Sequence, residues 1–344
     1  MFDSNRLQEK LQTKASGIHP PQGHEVRIRL LYERQLRRRN RGPFGGRRRS
    51  VFAKLSAVVL VLAVLSGFTG YYYFNISDQR VSFTYRQPVS GWMDAAASAR
   101  IYELLAEVEA RLEAGESAIV YVPELAERYI GKLALVSVMR PQTVTDAKQW
   151  EEELAGAGEG GLLAEAVLSD AGANGWSFDR GQRQPPFGGR LGERDLDWLP
   201  ELERESEASG GGAAWRIRPP DSGEPESKVY TSFYRNAAGE EIYVSVEIVG
   251  RKTDNRIMSS LAETEEVGLH GEKAYYLRTE PFMFAESNRH HQVQWLQSTD
   301  DATWVISVGS SSPEVEKAEL LQMAGEVAQA RRTEAGNGSS GLSE

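Results

Sequence analysis

The spacing of apolar and polar positions divides the chain into stretches of different character. The sharpest is Leu55–Phe74, Leu-Ser-Ala-Val-Val-Leu-Val-Leu-Ala-Val-Leu-Ser-Gly-Phe-Thr-Gly-Tyr-Tyr-Tyr-Phe, which carries no charge. At about 1.5 Å of helical rise per residue, about 20 such residues match the hydrocarbon thickness of a bilayer. The run predicts a transmembrane helix. Ahead of it, Phe2, Leu7 and Leu11 predict a short amphipathic helix that Gly17 and Pro20-Pro21 stop. A second short helix is expected from Glu25 to Asn40, with Val26, Leu30 and Leu31 on one side and Gly42, Pro43, Gly45 and Gly46 behind it. After the run, Asn75 to Ser90 reads as an extended stalk. Asp94 to Glu113 then places Ile101, Leu104, Leu105, Val108 and Leu112 at helical spacing, with Gly115 as the stop. Ala118–Val122 predicts a strand ended by Pro123, Leu125–Lys132 a helix and Leu133–Val138 a strand. Thr143 onward reads as a further helix with Thr145 as its cap and Trp150 and Leu154 on one side, followed by Leu162, Leu163 and Val167 on the next segment.

Pro185, Pro186, Gly188 and Gly189 mark a loop, and Glu201 to Ser227, rich in Glu, Ser, Gly and Pro, reads as surface loop or soft boundary around Trp215-Arg216-Ile217. Beyond it the pattern changes to strands: Val229–Tyr234, Glu241–Val249, Lys273–Leu277, Gln292–Gln297 and Thr303–Val308, separated by turn residues. Pro313 to Ala330 predicts a terminal helix through Val315, Leu320, Leu321, Ala324 and Val327. The expected fold class is α+β: a single N-terminal transmembrane helix, an outer helical region, then a C-terminal antiparallel sheet covered by a terminal helix. The corresponding domains are 1–54, a cytoplasmic basic segment with two short amphipathic helices; 55–74, the transmembrane helix; 75–226, an outer stalk and helix-rich region with loops; 227–332, the sheet with its helix; and 333–344, a disordered tail.

Charge gives this plan a direction. Met1–Lys54 holds 14 basic and 4 acidic residues, whereas the other 290 hold 26 and 45 of the totals of 40 and 49. Arg34, Arg37 to Arg39, Arg41, Arg47 to Arg49 and Lys54 lie within the window, about 20 residues wide, in which basic residues set orientation. The N-terminus is therefore expected in the cytoplasm and the C-terminal part outside, in a single-pass cell-membrane protein whose Tyr71, Tyr72 and Tyr73 form an aromatic belt. A cleaved signal peptide fits less well, because its apolar region of about 7–15 residues follows a short leader. The chain has no cysteine, which excludes a lipid-modified cysteine anchor and any disulfide.

Strand, turn and strand are followed by Val267-Gly-Leu-His-Gly-Glu-Lys-Ala-Tyr-Tyr, Val293-Gln-Trp, Trp304-Val-Ile-Ser-Val-Gly and a helix beginning Pro313-Glu-Val-Glu-Lys-Ala-Glu-Leu-Leu-Gln-Met-Ala. This order resembles an uncharacterised domain family found outside the membrane in single-pass, anti-sigma-factor-like proteins of Gram-positive bacteria. Glu113-Ala-Gly-Glu-Ser-Ala-Ile-Val-Tyr-Val-Pro is similar to a segment between anchor and domain in those proteins. The resemblance covers about a third of the chain and implies a sensory or scaffolding outer domain in the Gram-positive cell envelope, with no catalytic residue to carry over. Some anti-sigma factors bind zinc through a histidine and paired cysteines; here His19 and His24 stand in the inner part without a cysteine.

No residue set nominates a reaction. Gly156-Ala-Gly158-Glu-Gly160-Gly161 spells a dinucleotide-binding motif, but Gln149-Trp-Glu-Glu-Glu-Leu before it is helical and acidic where a strand is required, so a loop is expected. His290 and His291 are neighbours near a strand start and point to opposite faces, which predicts a surface pair and no shared metal. His270 reads as a turn residue. Glu151 to Glu153 and Glu263 to Glu266 read as solvated faces. The basic run Arg37–Arg49 serves orientation and anionic headgroups, each basic residue contributing about 1 kcal/mol, and no nucleic-acid partner is expected. Ala63 with Gly67, and Ser66 with Gly70, have small-residue spacing suited to close packing of two anchors. The expected function is a non-enzymatic, membrane-anchored extracytoplasmic regulatory or sensory protein of signal transduction, anti-sigma-factor-like, with no catalytic, metal or cofactor residue. Its expected partners are the lipid bilayer, a cytoplasmic regulator such as a sigma factor, and a wall component, peptide or lipid outside. The alternative is an envelope binding or carrier module holding an apolar ligand among Trp295, Trp304, Tyr275 and Phe282.

Overall fold

Alternation of side chains across strands dominates the computed structural model, which describes residues 73–86, 93–128, 134–156, 175–219, 227–258 and 261–338. These residues form fourteen strands and five α-helices. In chain order they are β1 (Tyr73–Ser77), β2 (Val81–Arg86), α1 (Ala95–Arg111), β3 (Ser117–Tyr121), α2 (Pro123–Arg128), β4 (Leu135–Met139), β5 (Thr143–Val144), α3 (Ala147–Ala155) and β6 (Trp176–Gln182). A 3₁₀ segment, Glu193–Trp198, leads into α4 (Leu199–Ala208) and β7 (Ala214–Ile217). The remainder is β8 (Ser227–Asn236), β9 (Glu241–Val249), β10 (Thr253–Met258), β11 (Leu261–Leu269), β12 (Glu272–Thr279), β13 (His290–Ser298), β14 (Thr303–Ser310) and α5 (Lys317–Gly338).

The largest layer is an eight-stranded sheet in the order β11-β12-β13-β14-β9-β8-β6-β5, antiparallel at every pairing. Alternate positions give it two unlike faces. On the first, Val244, Val246, Val293, Trp295, Trp304, Ile306 and Val308 pack against Leu320, Met323, Ala324 and Val327 of α5. Trp150 of α3 joins this core: its ring lies on Gly181, where a Cβ would sit 2.2 Å from it, and its Nε1 donates to Ser232 Oγ at 2.7 Å. The second face carries a row of polar side chains, and these are paired. Register brings Gln182, Thr231, Ser245, Ser307 and Gln294 side by side. Thr231 Oγ1 lies 3.0 Å from Ser245 Oγ, and Gln294 Nε2 donates to Ser307 Oγ at 3.4 Å.

A smaller sheet covers one part of that second face. β1 and β2 form an antiparallel hairpin, and β10 joins β2 in parallel. Its Ile76, Val81, Phe83 and Tyr85 pack on Val249, Leu277 and Val305. Tyr85 Oη donates to Gln294 Oε1 at 2.7 Å and so closes the polar row. The hairpin is latched by Asp78, whose carboxylate accepts from the backbone of Arg80 at 2.8 Å and Val81 at 2.6 Å, and from Ser298 Oγ at 2.7 Å and Thr303 Oγ1 at 2.5 Å. Burial raises this carboxyl, but those donors more than offset it and hold it below the ordinary value. The third sheet, β4-β3-β7, packs between α1 on one face and α4 on the other.

The expected fold class is corrected by this arrangement. Strands, not helices, predominate, and the residues from 75 to 226 expected to be stalk and helices contribute to all three sheets. The stalk is the β1–β2 hairpin, because Ile76, Val81, Phe83 and Tyr85 alternate and bury one side. The loop region from 201 to 227 contains most of α4 and all of β7, with Leu202 fully buried and Arg216 paired to Glu201 and Glu205. No helix among the described residues is long and apolar enough to cross a membrane. Residues 55–72 of the uncharged run, both N-terminal helices and the segment with Leu162, Leu163 and Val167 lie outside the described residues, while Tyr73 and Phe74, expected at a helix end, open β1. Asp146 rather than Thr145 caps α3, accepting from Gln149 N at 2.9 Å, because Thr143 and Val144 are drawn into the sheet as β5. α5 begins at Lys317 and continues to Gly338.

Asp78→Ala removes four acceptor contacts and leaves Ser298 and Thr303 without this partner. A loss of about 2–4 kcal/mol of unfolding free energy is expected in denaturant titration, and an unchanged midpoint would show that the latch is dispensable.

Candidate functional site

A cleft of about 230 Å³ opens where α1, the end of β4 and the loop after β6 meet. Asp94 fixes the start of α1 by accepting from Ala97 N at 2.7 Å, and Ile101, Leu105 and Val108 bury the helix on β3 and β4. Tyr102, Ala106 and Glu109 are thereby set along one wall, and Met139 and Pro141 continue it. Opposite stand Pro185, Pro186 and Phe187, with Arg180 and Phe233 on the floor and Phe284 at the side.

The proline loop is held from both ends. Gln182 Nε2 donates to Pro185 O at 2.8 Å and Thr231 Oγ1 to Gln184 O at 2.7 Å, tying it to the polar row. Gly189 N donates to Ser137 O at 3.1 Å, tying it to β4. Gly188 has φ +57°, and a Cβ there would lie 2.8 Å from the Phe284 ring, so this tight approach requires glycine. Further along, Arg218 donates to Asp195 Oδ2 at 2.7 Å and to Arg190 O at 2.9 Å, and Arg190 pairs with Glu247 of the sheet.

Behind the loop lies an aromatic cluster. Phe187 meets Tyr243, Phe282 and His290 edge-on, with ring centres 5.1–5.8 Å apart, and Phe282 stacks on His290 at 4.7 Å. Tyr243 lies across Gly309, where a Cβ would sit 2.5 Å from its oxygen. Its hydroxyl donates to Gln292 Oε1 at 3.1 Å and lies 2.7 Å from His290 Nε2, which therefore donates to it as a neutral imidazole. Burial, reinforced by neighbouring His291, pushes His290 down to about 3. His291, on the other face, is lowered to about 4 by burial and by Arg289 and Arg278.

The charges at the cleft are unequally satisfied. Arg180 stacks 3.9 Å above the centre of the Phe233 ring and binds Asp179 and Glu241 at 2.6 Å each, while Arg235 bridges the same two carboxylates at 3.3 Å. Two cations and two anions close on themselves. Glu109 has no ion-pair partner among the described residues. It is reachable by solvent, yet partial desolvation raises its carboxyl above the ordinary value, which Arg140 offsets only in part.

Residues singled out in the sequence fall elsewhere. His290 and His291, expected at the surface, are both buried, because Phe187, Phe282 and Tyr243 enclose one and Tyr276 covers the other. Trp295 and Trp304 lie in the core against α5 and line no groove; Phe282 and Tyr275 are half-buried in separate clusters. His270 occupies a turn with φ +46° beside Gly271. Glu263, Glu265 and Glu266 lie on edge strand β11, where they pair with Arg278, Lys317 and Lys273. Gly156 caps α3, and the rest of its glycine motif lies outside the described residues, as do His19, His24, Arg37–Arg49, Ala63, Gly67, Ser66 and Gly70. Among the described residues no three His, Asp or Glu side chains gather as metal ligands. The cleft residues Tyr102, Glu109, Arg180, Phe187, Phe233 and Phe284 were not visible in the sequence; Pro185-Pro186-Phe187-Gly188-Gly189 was their one local signal. No protein-family model, curated protein or solved structure matches the chain.

Both buried histidines are neutral when folded and bind a proton near 6.5 when unfolded. Their stabilisation is fully present above pH 6.5 and is lost as pH falls from there toward 4 for His291 and 3 for His290. Unfolding free energy should drop between pH 6.5 and 5 by about 1.4 kcal/mol per unit for each histidine. His290→Gln, which keeps a donor for Tyr243, should halve that slope; a flat profile in the wild type would contradict the burial.

Proposed function

We propose that this chain is a non-enzymatic regulatory or sensory protein held at a cell membrane, with the β-rich body on the outer side recognising a partner through the cleft between α1 and the proline loop. The observation that carries this reading is the cleft itself. Aromatic and proline side chains line it, and its walls are anchored to two sheets by Gln182, Thr231 and Gly189. Pre-formed walls that combine aromatic and proline side chains with polar ones lower the ordering cost of binding. The division of charge supports the sidedness: the acidic excess falls on the body and the basic excess before residue 55. The basic segment then faces the cytoplasm, where a regulator such as a sigma factor is its proposed partner.

A photoreactive phenylalanine analogue at Tyr102 or Phe284 of the full chain, expressed in the cells that make it, tests the recognition surface. Adducts are expected at both positions and not at Lys273, which is exposed on β12. Equal labelling from all three sites, or none, would remove the cleft as the contact point. Protease added to intact cells checks the sidedness, because the body should be digested while residues 1–54 persist.

A further inference from the structure

We infer that the cleft takes an arginine side chain presented by a peptide segment of the partner, with the guanidinium on the Glu109 carboxylate and its aliphatic stem along Tyr102 and Phe284. The inference rests on the cleft being the recognition site and names what it recognises.

Three observations converge on this occupant. The first is size: about 230 Å³ lies below the roughly 300–1,000 Å³ of small-molecule sites, which suits one anchoring side chain rather than a whole cofactor. The second is charge. Arg180, Arg235, Asp179 and Glu241 neutralise one another, so the charge left over at the cleft is that of Glu109, which forms no ion pair among the described residues and which Arg140 compensates only in part. An anionic ligand would be repelled by that carboxylate, and a neutral one would displace water from it without supplying a donor in return. The third is a precedent within the same walls. The floor already stacks one guanidinium, Arg180 on Phe233 at 3.9 Å, so its surface suits that planar cation. Arginine is preferred to lysine because its flat, forked head can stack on a ring and bind a carboxylate through two donors together, whereas an ammonium is a compact and strongly hydrated charge.

Methionine methyl signals report on this directly, since Met139 lines the cleft while Met93 and Met323 are buried and do not line it. The full chain, carrying labelled methionine in lipid nanodiscs, is titrated with three blocked pentapeptides, Ala-Leu-X-Leu-Ala, where X is arginine, lysine or norleucine. The arginine peptide should shift Met139 saturably and bind about tenfold tighter than the norleucine peptide, with lysine between, as expected for a charge-assisted contact. Glu109→Gln should abolish that preference while Met93 and Met323 keep their positions, which shows that the variant is folded. If the norleucine peptide binds as well as the arginine peptide, the cation is wrong and the cleft stands as a recognition site. If none of the three shifts Met139, cleft and cation fall together.

Discussion

The polar row in which Thr231 pairs with Ser245, and Ser307 beside it with Gln294, is the constraint on which the second face of the large sheet depends. Polar groups buried without partners cost about 1–3 kcal/mol each, so whatever covers this row must bring matching donors and acceptors. Two different segments do so. Tyr85 of the β1–β2 hairpin supplies a hydroxyl to Gln294, and the proline loop supplies the Gln184 carbonyl to Thr231. A slip of one residue in β9 or β14 would exchange this row for the apolar set on the opposite face and separate every one of these pairs. The register of the sheet and the position of its coverings are therefore specified together.

The site inherits its rigidity from the same row. Gln182, at its β6 end, holds Pro185, and from there the loop reaches Gly189 on β4, so the cleft bridges the eight-stranded sheet and the α1-covered sheet. Arg180 and Gln182 alternate with Gly181 on the same strand. Gly181 faces Trp150 in the core, and its two neighbours face the cleft. One strand thus serves packing and recognition by the simple alternation of its side chains.

Legibility in the sequence followed the range of the interactions. The strands β8, β9, β12, β13 and β14, and the helix α1 with Asp94 at its cap, show themselves because each carries its own periodicity. β6 and β10 did not: Trp176-Ser-Phe-Asp-Arg-Gly-Gln and Thr253-Asp-Asn-Arg-Ile-Met are polar, and they become strands through partners distant in sequence. His290 and His291 were misplaced for a related reason. Opposite faces of a strand imply one exposed side only where a sheet is covered once, and here both faces are covered, by α5 on one side and by the hairpin and proline loop on the other. The cleft assembles α1, β4, β6, β8 and three loops, and no local window contains that juxtaposition.

The Asp78 latch has a consequence for how the body comes together on the ribosome. Its donors Ser298 and Thr303 follow it by 220 and 225 residues, and Arg80 reaches the carbonyl of Thr299 across 219. At a synthesis rate of about 5–20 residues per second, the first two strands wait roughly 10–40 s for the hairpin that secures them. Until then Phe83 and Tyr85 lack the complete surface that covers them, because Val305 is made after Val249 and Leu277, a window that a holding chaperone would have to guard.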